Sequence, residues 1–273
     1  MSPERLFWRG LAAITVLAAS QTQAQAHSSS GGDANELSKQ LNNPISSLIS
    51  VPFQENIDFS VGPGKGWKST LNIQPVVPVS LSANWNVIIR TIVPVIYQHD
   101  VVPDSSEFGL GDITQSFFFS PKHPGPSGII WGAGPVFLYP TATDKFLGGK
   151  KWGAGPTIVI LKQSGKNTFG VLANHIWSVA GSDDRPGISA TFIQPFFSHT
   201  TASALTIGLN TESTYDWRAK RWTVPLNLTA TQLTHLGKQP VSIGGGLRYY
   251  AAAPRDGPNW GVRLIFTLLY PKR

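Results

Sequence analysis

The chain has 273 residues, a formal net charge of +7 and no cysteine. Without disulfides, an exported chain must be held together by core burial or by a closed sheet. Charged residues make up only 14% of the chain, while glycine and proline number 27 and 21, a composition that argues against a helical protein. The basic side chains are scattered singly, which argues against a nucleic-acid partner and favours a solvated rim or attraction to anionic lipid and lipopolysaccharide.

Residues 1–26 have the organisation of a secretory signal peptide. Arg5 and Arg9 make a positive start, an apolar run ends at Ala19, and an Ala-Gln-Ala motif ends at Ala26. The apolar run is too short for a membrane-spanning helix, which needs about 20 residues. We therefore predict Sec-type export and exclude this segment from the fold.

Residues 27–54 are expected to form an N-terminal periplasmic or plug segment. A polar, disordered lead over 27–32 should precede a short helix over 33–40, with Asp33 as its cap. The following stretch, 41–53, is more apolar than a periplasmic tail requires. This favours insertion into the mouth of a barrel as a plug over an additional β-segment.

From residue 55 to residue 271, apolar and polar side chains alternate with a period of two over runs of about ten residues. No uncharged apolar run of roughly 18 residues follows the signal peptide, so a transmembrane helix is not available. The pattern predicts an all-β fold, a single antiparallel transmembrane β-barrel of about twelve strands. The predicted strands are 55–61, 68–81, 85–97, 111–120, 128–139, 151–163, 167–180, 188–199, 203–211, 221–234, 240–251 and 259–270.

The predicted connections alternate between short and long. Transmembrane barrels have short periplasmic turns and longer outer loops, so this alternation places both termini on the periplasmic side. Loops 98–110, 140–150 and 212–220 are then expected at the outer mouth. The long connections are 98–110, 140–150, 181–187, 212–220 and 252–258.

The two faces of the strands support this interpretation. In the last predicted strand, Trp260 and Leu264 share one face, while Gly261 and Arg263 share the other. Tryptophan and tyrosine collect near predicted strand ends, as expected of interfacial girdles, although ordinary core aromatics remain an alternative. These residues are Trp67, Trp85, Trp131, Trp152, Trp177, Trp222, Trp260 and Tyr270.

Proline inside predicted strands argues against a regular barrel. Proline cannot donate to the hydrogen-bond ladder and a closed barrel has no edges, so we expect bulges. The tetrapeptide Gly-Ala-Gly-Pro occurs at 132–135 and 153–156, in neighbouring strands, which predicts a kinked hairpin. The in-strand prolines are Pro75, Pro78, Pro94, Pro135, Pro156, Pro195 and Pro225.

The polar faces of the strands predict the residues that line the lumen. Arg90, Arg248 and Arg263 could form a selectivity constriction that favours anionic or hydrogen-bonding solutes. Alternatively, charges of both signs could simply satisfy one another in a packed interior. The lumen candidates are Asp58, Asn72, Gln74, Arg90, Asp112, Asn174, Asn210, Glu212, Asn227, Arg248 and Arg263.

Enzyme signatures are scarce. The chain contains no Gly-x-Ser-x-Gly elbow, no His-Glu-x-x-His and no P-loop, and its histidines lack metal-ligand spacing. The best catalytic candidate is His175 beside Asn174, with Ser178 three residues on. We expect no enzyme activity, no cofactor and no metal.

Several motifs resemble a family of bacterial outer-membrane proteins described as transporters. This family is related to the barrel proteins of phenol-degradation (meta-pathway) clusters and is sometimes mislabelled neuromedin U. The resemblance covers about residues 36–271 and implies an outer-membrane barrel with uptake of small hydrophobic or aromatic solutes, without assigned site residues. The motifs are Asn43-Pro44, Leu-Ile-Ser-Val-Pro-Phe at 48–53, Gln74-Pro75, Arg-Thr-Ile-Val-Pro at 90–94, Gly-Leu-Gly-Asp at 109–112, Trp-Gly-Ala-Gly-Pro at 152–156 and Asn-Thr-Glu-Ser-Thr-Tyr at 210–215.

Taken together, the sequence predicts an outer-membrane channel or transporter for small solutes, hydrophobic or aromatic ones among them. Two alternatives stay open. One is an outer-membrane lipid-modifying enzyme built on the same barrel, and the other is a soluble periplasmic β-barrel binding protein of lipocalin type or a β-sandwich. Cell fractionation separates the second alternative from a membrane protein.

Overall fold

The computed structural model of the protein describes residues 27–271, with side chains described from residue 34 onward. The predicted signal peptide lies outside these residues. One helix precedes fifteen strands. The elements are α1 (His27–Leu41), β1 (Ile49–Val61), β2 (Gly66–Ile73), β3 (Val76–Ser80), β4 (Trp85–His99), β5 (Ser106–Leu110), β6 (Ile113–Pro121), β7 (Ile129–Tyr139), β8 (Lys151–Ser164), β9 (Asn167–Gly181), β10 (Ser189–Thr200), β11 (Leu205–Thr211), β12 (Ser213–Asp216), β13 (Arg221–Leu236), β14 (Gln239–Ala252) and β15 (Trp260–Tyr270).

The strands form one closed antiparallel barrel. Each pass pairs with the next along the chain, and the first strand pairs with the last from Ile49↔Tyr270 to Phe59↔Trp260. Three passes are interrupted, so that β2 with β3, β5 with β6, and β11 with β12 each make one crossing. Counted in this way the barrel has twelve passes and no free edge, which confirms the predicted fold class.

The N-terminal part differs from the sequence-based expectation in two respects. The first strand begins at Ile49, six residues before the predicted start, because the alternating residues from 49 to 54 pair with β15. The second half of the stretch that we expected to act as a plug is therefore barrel wall. The helix begins at His27, so the disordered lead predicted over 27–32 is wrong, and position 33 lies inside the helix instead of capping it.

Several in-strand prolines coincide with interruptions of the ladder. Pro75 lies in the break between β2 and β3, and Pro225 lies at a register shift between β13 and β14. Pro135 is paired with Pro156 between β7 and β8, so the two Gly-Ala-Gly-Pro segments meet at their prolines. Proline supplies no N–H, and these positions therefore have fewer ladder bonds than the rest of the wall.

The two ends of the barrel differ. We call the end where β1 begins and β15 finishes the terminal end, and the opposite end the loop end. The two shortest turns at the terminal end, 165–166 and 237–238, each use a glycine with positive φ, Gly165 at 58° and Gly237 at 62°. Such tight hairpins require left-handed backbone, which glycine adopts without strain.

Two of the predicted long connections are shorter than expected. The connection predicted at 98–110 is reduced to 100–105 because β5 pairs with β4. The connection predicted at 212–220 is reduced to 217–220 because β12 pairs with both β10 and β13. The longest connection at the loop end is 140–150.

Large apolar side chains lie on the outside of the barrel, and polar side chains predominate among the buried ones. Register places Trp260 and Leu264 on the outer face, 49% and 57% exposed, while Arg263 between them points inward and is 2% exposed. Aromatic rings pair on the outer face near the loop end, as in Phe59–Trp260 with centroids 4.6 Å apart. Trp85 and Trp131 pair at 6.0 Å near the terminal end.

The N-terminal segment, residues 27–48, enters the terminal end of the barrel. Ile45 is buried against Ile88, Phe118 and Leu172 of the wall. In a second apolar cluster Leu48 packs with Leu233 and Leu269 of the wall, against Leu37 of α1. Among residues 27–271, no helix is both long enough and apolar enough to cross a membrane.

Polar contacts fix the same N-terminal segment to the terminal-end turns. The Gln163 side chain donates to the Lys39 carbonyl at 2.8 Å, and Asn42 donates to the Thr200 hydroxyl at 3.1 Å. The Asn35 side chain donates to the Ala202 carbonyl at 3.1 Å. These few contacts, with the two apolar clusters, hold the segment across one mouth of the barrel.

Candidate functional site in the barrel interior

The structure places ten of the predicted lumen residues on the interior face of the wall. They form three groups, an ion-paired cluster near the loop end, an asparagine pair, and residues that line two internal cavities, with Glu212 and Asn210 each belonging also to the last group. Asp112 differs, because it binds a loop. The interior residues are Asp58, Asn72, Gln74, Arg90, Asn174, Asn210, Glu212, Asn227, Arg248 and Arg263.

The cluster centres on Glu212, which lies at the break between β11 and β12. Arg263 donates to both oxygens of this carboxylate, from Nη1 to Oε1 at 3.0 Å and from Nη2 to Oε2 at 2.7 Å. Its Nε donates to Asn56 Oδ1 at 2.7 Å. A bidentate pair of this kind is the strong form of the arginine–carboxylate interaction.

Arg248 extends the cluster towards the loop end. Its Nη1 donates to Glu212 Oε2 at 3.3 Å and to Asn56 Oδ1 at 3.0 Å. Its Nε donates to Asp58 Oδ1 at 3.1 Å, and its Nη2 to the Tyr250 hydroxyl at 2.9 Å. Two arginines thus face two carboxylates in a nearly buried network, and their charges are compensated within the wall.

A second polar contact joins β11 and β13. The Asn227 side chain, fully buried, donates to Asn210 Oδ1 at 2.8 Å. Buried amides need such partners because an unpaired polar group away from water is costly. This pair links β11 and β13 next to the ion-paired cluster, while Oδ1 of Asn227 has no hydrogen-bond partner among the described residues.

Asp112 fastens the longest loop to the wall. Its two carboxylate oxygens accept hydrogen bonds from the backbone N–H groups of Ala142 at 3.1 Å and Gly149 at 2.6 Å. Between them, Leu147 is buried against the wall near Gly109 and Gly111. Loop 140–150 therefore folds into the loop-end mouth instead of extending away from it.

Two cavities lie inside the barrel, one after the other along its axis. The loop-end cavity has a volume of about 360 Å³ and the terminal-end cavity about 260 Å³. Five residues line both cavities and form what we call the waist. The waist residues are Gln54, Gln74, Arg90, Leu172 and Gln194.

Arg90 is the cationic residue of the waist. Its Nη2 donates to Gln74 Oε1 at 2.8 Å. Among residues 34–271, no carboxylate lies within 4 Å of this guanidinium, whereas Arg248 and Arg263 both have such partners. The sequence left two interpretations of the three arginines open, a selectivity constriction and a packed interior. Arg248 and Arg263 fit the packed interior because they pair with acidic side chains. Arg90 fits the constriction because it faces the cavities.

The two cavities have different walls. Apolar side chains of β7, β9 and β10, such as Leu138, Ile176 and Phe192, line one side of the loop-end cavity, with Thr114 and Asn174 among its polar residues. The terminal-end cavity is lined by residues of the N-terminal segment, by amides and hydroxyls of the wall, and by apolar side chains such as Phe196, Leu209 and Ile265. Its polar wall includes Asn42, Asn43, Ser50, Thr206, Asn210, Thr229, Thr231, Ser242 and Thr267.

Sequence reasoning missed four polar residues of the cluster and the waist. Asn56 bridges the two clustered arginines, and Tyr250 binds Arg248. Gln54 and Gln194 belong to the waist. Asn56 and Gln54 share the inward parity of Asp58 in the same strand, so the alternation contained the signal for them.

The catalytic candidate does not assemble. His175 points outward, its Nδ1 lies 2.7 Å from the Thr191 hydroxyl, and its ring packs on Trp177 with centroids 4.1 Å apart. Asn174 lines the loop-end cavity on the opposite face, and the Ser178 hydroxyl pairs with backbone atoms of residue 188. In the part of the chain that the structure describes, no three His, Cys, Asp or Glu side chains are grouped to bind a metal.

Comparison with solved structures identifies a similar fold. An outer-membrane channel from Pseudomonas putida matches with a TM-score of 0.62 and 13% identity, covering 82% of this chain and 94% of that chain. A porin and a bacterial polysaccharide outer-membrane secretin match with TM-scores of only 0.39 and 0.33, at 9% and 12% identity, covering 81% and 83% of this chain and 99% of each of theirs. No family model and no curated protein matches the chain. The channel therefore shares the barrel fold.

Proposed function

We propose that the protein is an outer-membrane barrel that lets small solutes cross the membrane through its interior. The observation that supports this most strongly is the polarity of the two faces. A closed barrel that buries Arg248 and Arg263 inside and exposes Leu264, Leu228 and Trp260 outside has the reverse of the arrangement that suits water. It suits a hydrocarbon surround and a polar lumen.

The stacked cavities support passage over a purely structural role. They meet at the waist, and together they extend from Ile188 and Thr214 near the loop end to residues 40–46 of the N-terminal segment. Their volumes of about 260 and 360 Å³ lie below or near the small end of the range for small-molecule sites, about 300–1,000 Å³, and therefore suit small solutes. The apolar side of the loop-end cavity favours solutes with a hydrophobic or aromatic part, in line with the resemblance to proteins of phenol-degradation clusters.

The orientation follows from the ends of the barrel. Sec-type export with removal of residues 1–26 would deliver the chain to the periplasm, and the terminal end with the N-terminal segment would remain there. The loop end would then face the outside, where its basic residues would attract anionic lipid and lipopolysaccharide. The basic residues next to or within the loop-end connections are Lys65, Lys145, Lys150, Lys151, Arg185, Arg218, Lys220, Arg221 and Arg255.

The geometry disfavours the two alternative functions. A lipid-modifying enzyme needs converging catalytic groups, and His175, Asn174 and Ser178 point to different places. A soluble periplasmic binding protein would hold the apolar outer face in water, which costs about 25 cal/mol for each Å² of apolar surface.

The proposal is tested by localisation and permeability together. The full-length protein should fractionate with the outer membrane, migrate differently on SDS gels before and after boiling, and make liposomes permeable to small organic solutes. Recovery of the folded protein in the soluble periplasmic fraction would contradict membrane insertion. A heat-modifiable barrel that leaves liposomes impermeable, even after removal of residues 27–48, would contradict passage.

A further inference from the structure

We propose that the waist is a binding site for small organic acids, with the carboxylate on Arg90 and an apolar body in the loop-end cavity. This inference rests on the proposed function, because it names the class of solute that the interior would recognise. It is argued from the unpaired donors of the waist and from the apolar wall above them.

The first argument is the state of Arg90. Of its five N–H donors, only one on Nη2 has a hydrogen-bond acceptor among the described residues, namely Gln74 Oε1. The guanidinium is partly buried and lines both cavities. Glu212 also lines the loop-end cavity, but its carboxylate is paired with Arg263 and Arg248. A partly buried cation without a carboxylate within 4 Å attracts an anionic ligand, since charge interactions strengthen as water is excluded.

The second argument is the pair of glutamine side chains that line the waist with Arg90. The side chains of Gln54 and Gln194 line both cavities and make no hydrogen bond to any other side chain or backbone group of residues 34–271. Their amides can each donate to an oxygen acceptor. One guanidinium and two amides around a narrow opening match the two acceptor oxygens of a carboxylate, which arginine binds with parallel N–H donors.

The third argument is the wall above the waist. Leu138, Ile176, Ile188 and Phe192 line the loop-end cavity with Leu172 of the waist. A cavity of about 360 Å³ lies near the small end of the range for small-molecule sites. A ligand with its anionic group at the waist would therefore place a ring-sized apolar body against these side chains.

The experiment uses benzoate as the anionic probe and benzyl alcohol as a neutral probe of similar size. Binding to the folded full-length barrel in detergent is measured by isothermal titration. Arg90→Gln should weaken benzoate binding roughly ten- to a hundredfold, the usual worth of hydrogen bonds to charged groups, and should leave benzyl alcohol binding unchanged. Lys68→Gln is the matched control, because Lys68 shares the interior parity but lines neither cavity.

A second variant tests the apolar half of the site. Phe192→Ser should weaken both probes and leave the weak binding of acetate unchanged. The proposal is overturned if wild type does not bind benzoate, or if Arg90→Gln binds it as tightly as wild type while remaining heat-modifiable. Binding does not depend on transport, so liposomes that stay impermeable while benzoate binds would contradict passage alone.

Discussion

Glu212→Leu is expected to destabilise the barrel more than any other single substitution in the interior. The change removes the carboxylate that pairs with Arg263 at 2.7 Å and with Arg248 at 3.3 Å, and it leaves the first arginine, 2 % exposed, without an anion. Removing one partner of a buried pair costs about 3–5 kcal/mol, because the remaining charge is uncompensated. The loss is measured as a lower urea midpoint for unfolding of the barrel in lipid vesicles.

Two further variants test whether the loss of the ion pairs of Glu212 causes the destabilisation. Asp183→Asn, an exposed loop carboxylate, serves as control and should unfold like wild type. The double variant Glu212→Leu with Arg263→Met should recover part of the loss, because replacing both members of a buried pair by apolar side chains is often neutral. Strictly additive losses, or a Glu212→Leu midpoint equal to that of wild type, would show that the cluster does not stabilise the barrel.

Removal of residues 27–48 is expected to increase the conductance of the barrel more than any other change. The N-terminal segment spans the terminal-end mouth, and several of its residues line the terminal-end cavity. Without it, that cavity would open directly to the periplasm. Planar-bilayer recordings should then show conductance steps several times larger than those of the full-length chain, because a twelve-stranded barrel is wide enough for a narrow aqueous path.

A milder variant controls for damage caused by the deletion. Gln163→Ala keeps the segment but removes its hydrogen bond to the Lys39 carbonyl, so we expect brief openings of the same size as those of the shortened chain. Both variants should remain heat-modifiable on gels. Equal conductance of the full-length and shortened barrels would mean that the segment does not block the path.

The alternation of side chains was sufficient to predict the direction of most interior residues. Arg248 and Arg263 follow a strict period of two within β14 and β15, so their inward orientation could be read from neighbours in the chain. The hydrogen-bond partners of the two arginines could not be predicted from the sequence. Asn56 lies 207 residues from Arg263, and Glu212 lies 51 residues from it. Only the closure of the barrel and its register bring these groups together.

Local breaks in the alternation of side chains explain where the predicted strand boundaries were wrong. The residues from Ile49 to Gln54 alternate like any other strand and pair with β15 through Pro52, but the apolar character of 41–53 favoured a separate segment. The residues after Glu212 lack apolar alternation, yet Ser213–Asp216 complete a pass because β10 and β13 supply partners on both sides. Proline and short polar stretches are therefore weak boundaries when neighbouring strands enforce pairing.

The central claim is that the apolar face of the wall meets hydrocarbon while the polar face lines an enclosed space. Because the chain has no cysteine, a single cysteine at position 264 or 72 can carry a spin label. We predict that the label at 264, on the outer face, collides with lipid-dissolved oxygen and is protected from a water-soluble nickel chelate. The label at 72, in the loop-end cavity, should show the reverse. A label at 264 that is shielded from oxygen, on a folded chain that stays in solution without detergent, would contradict the account.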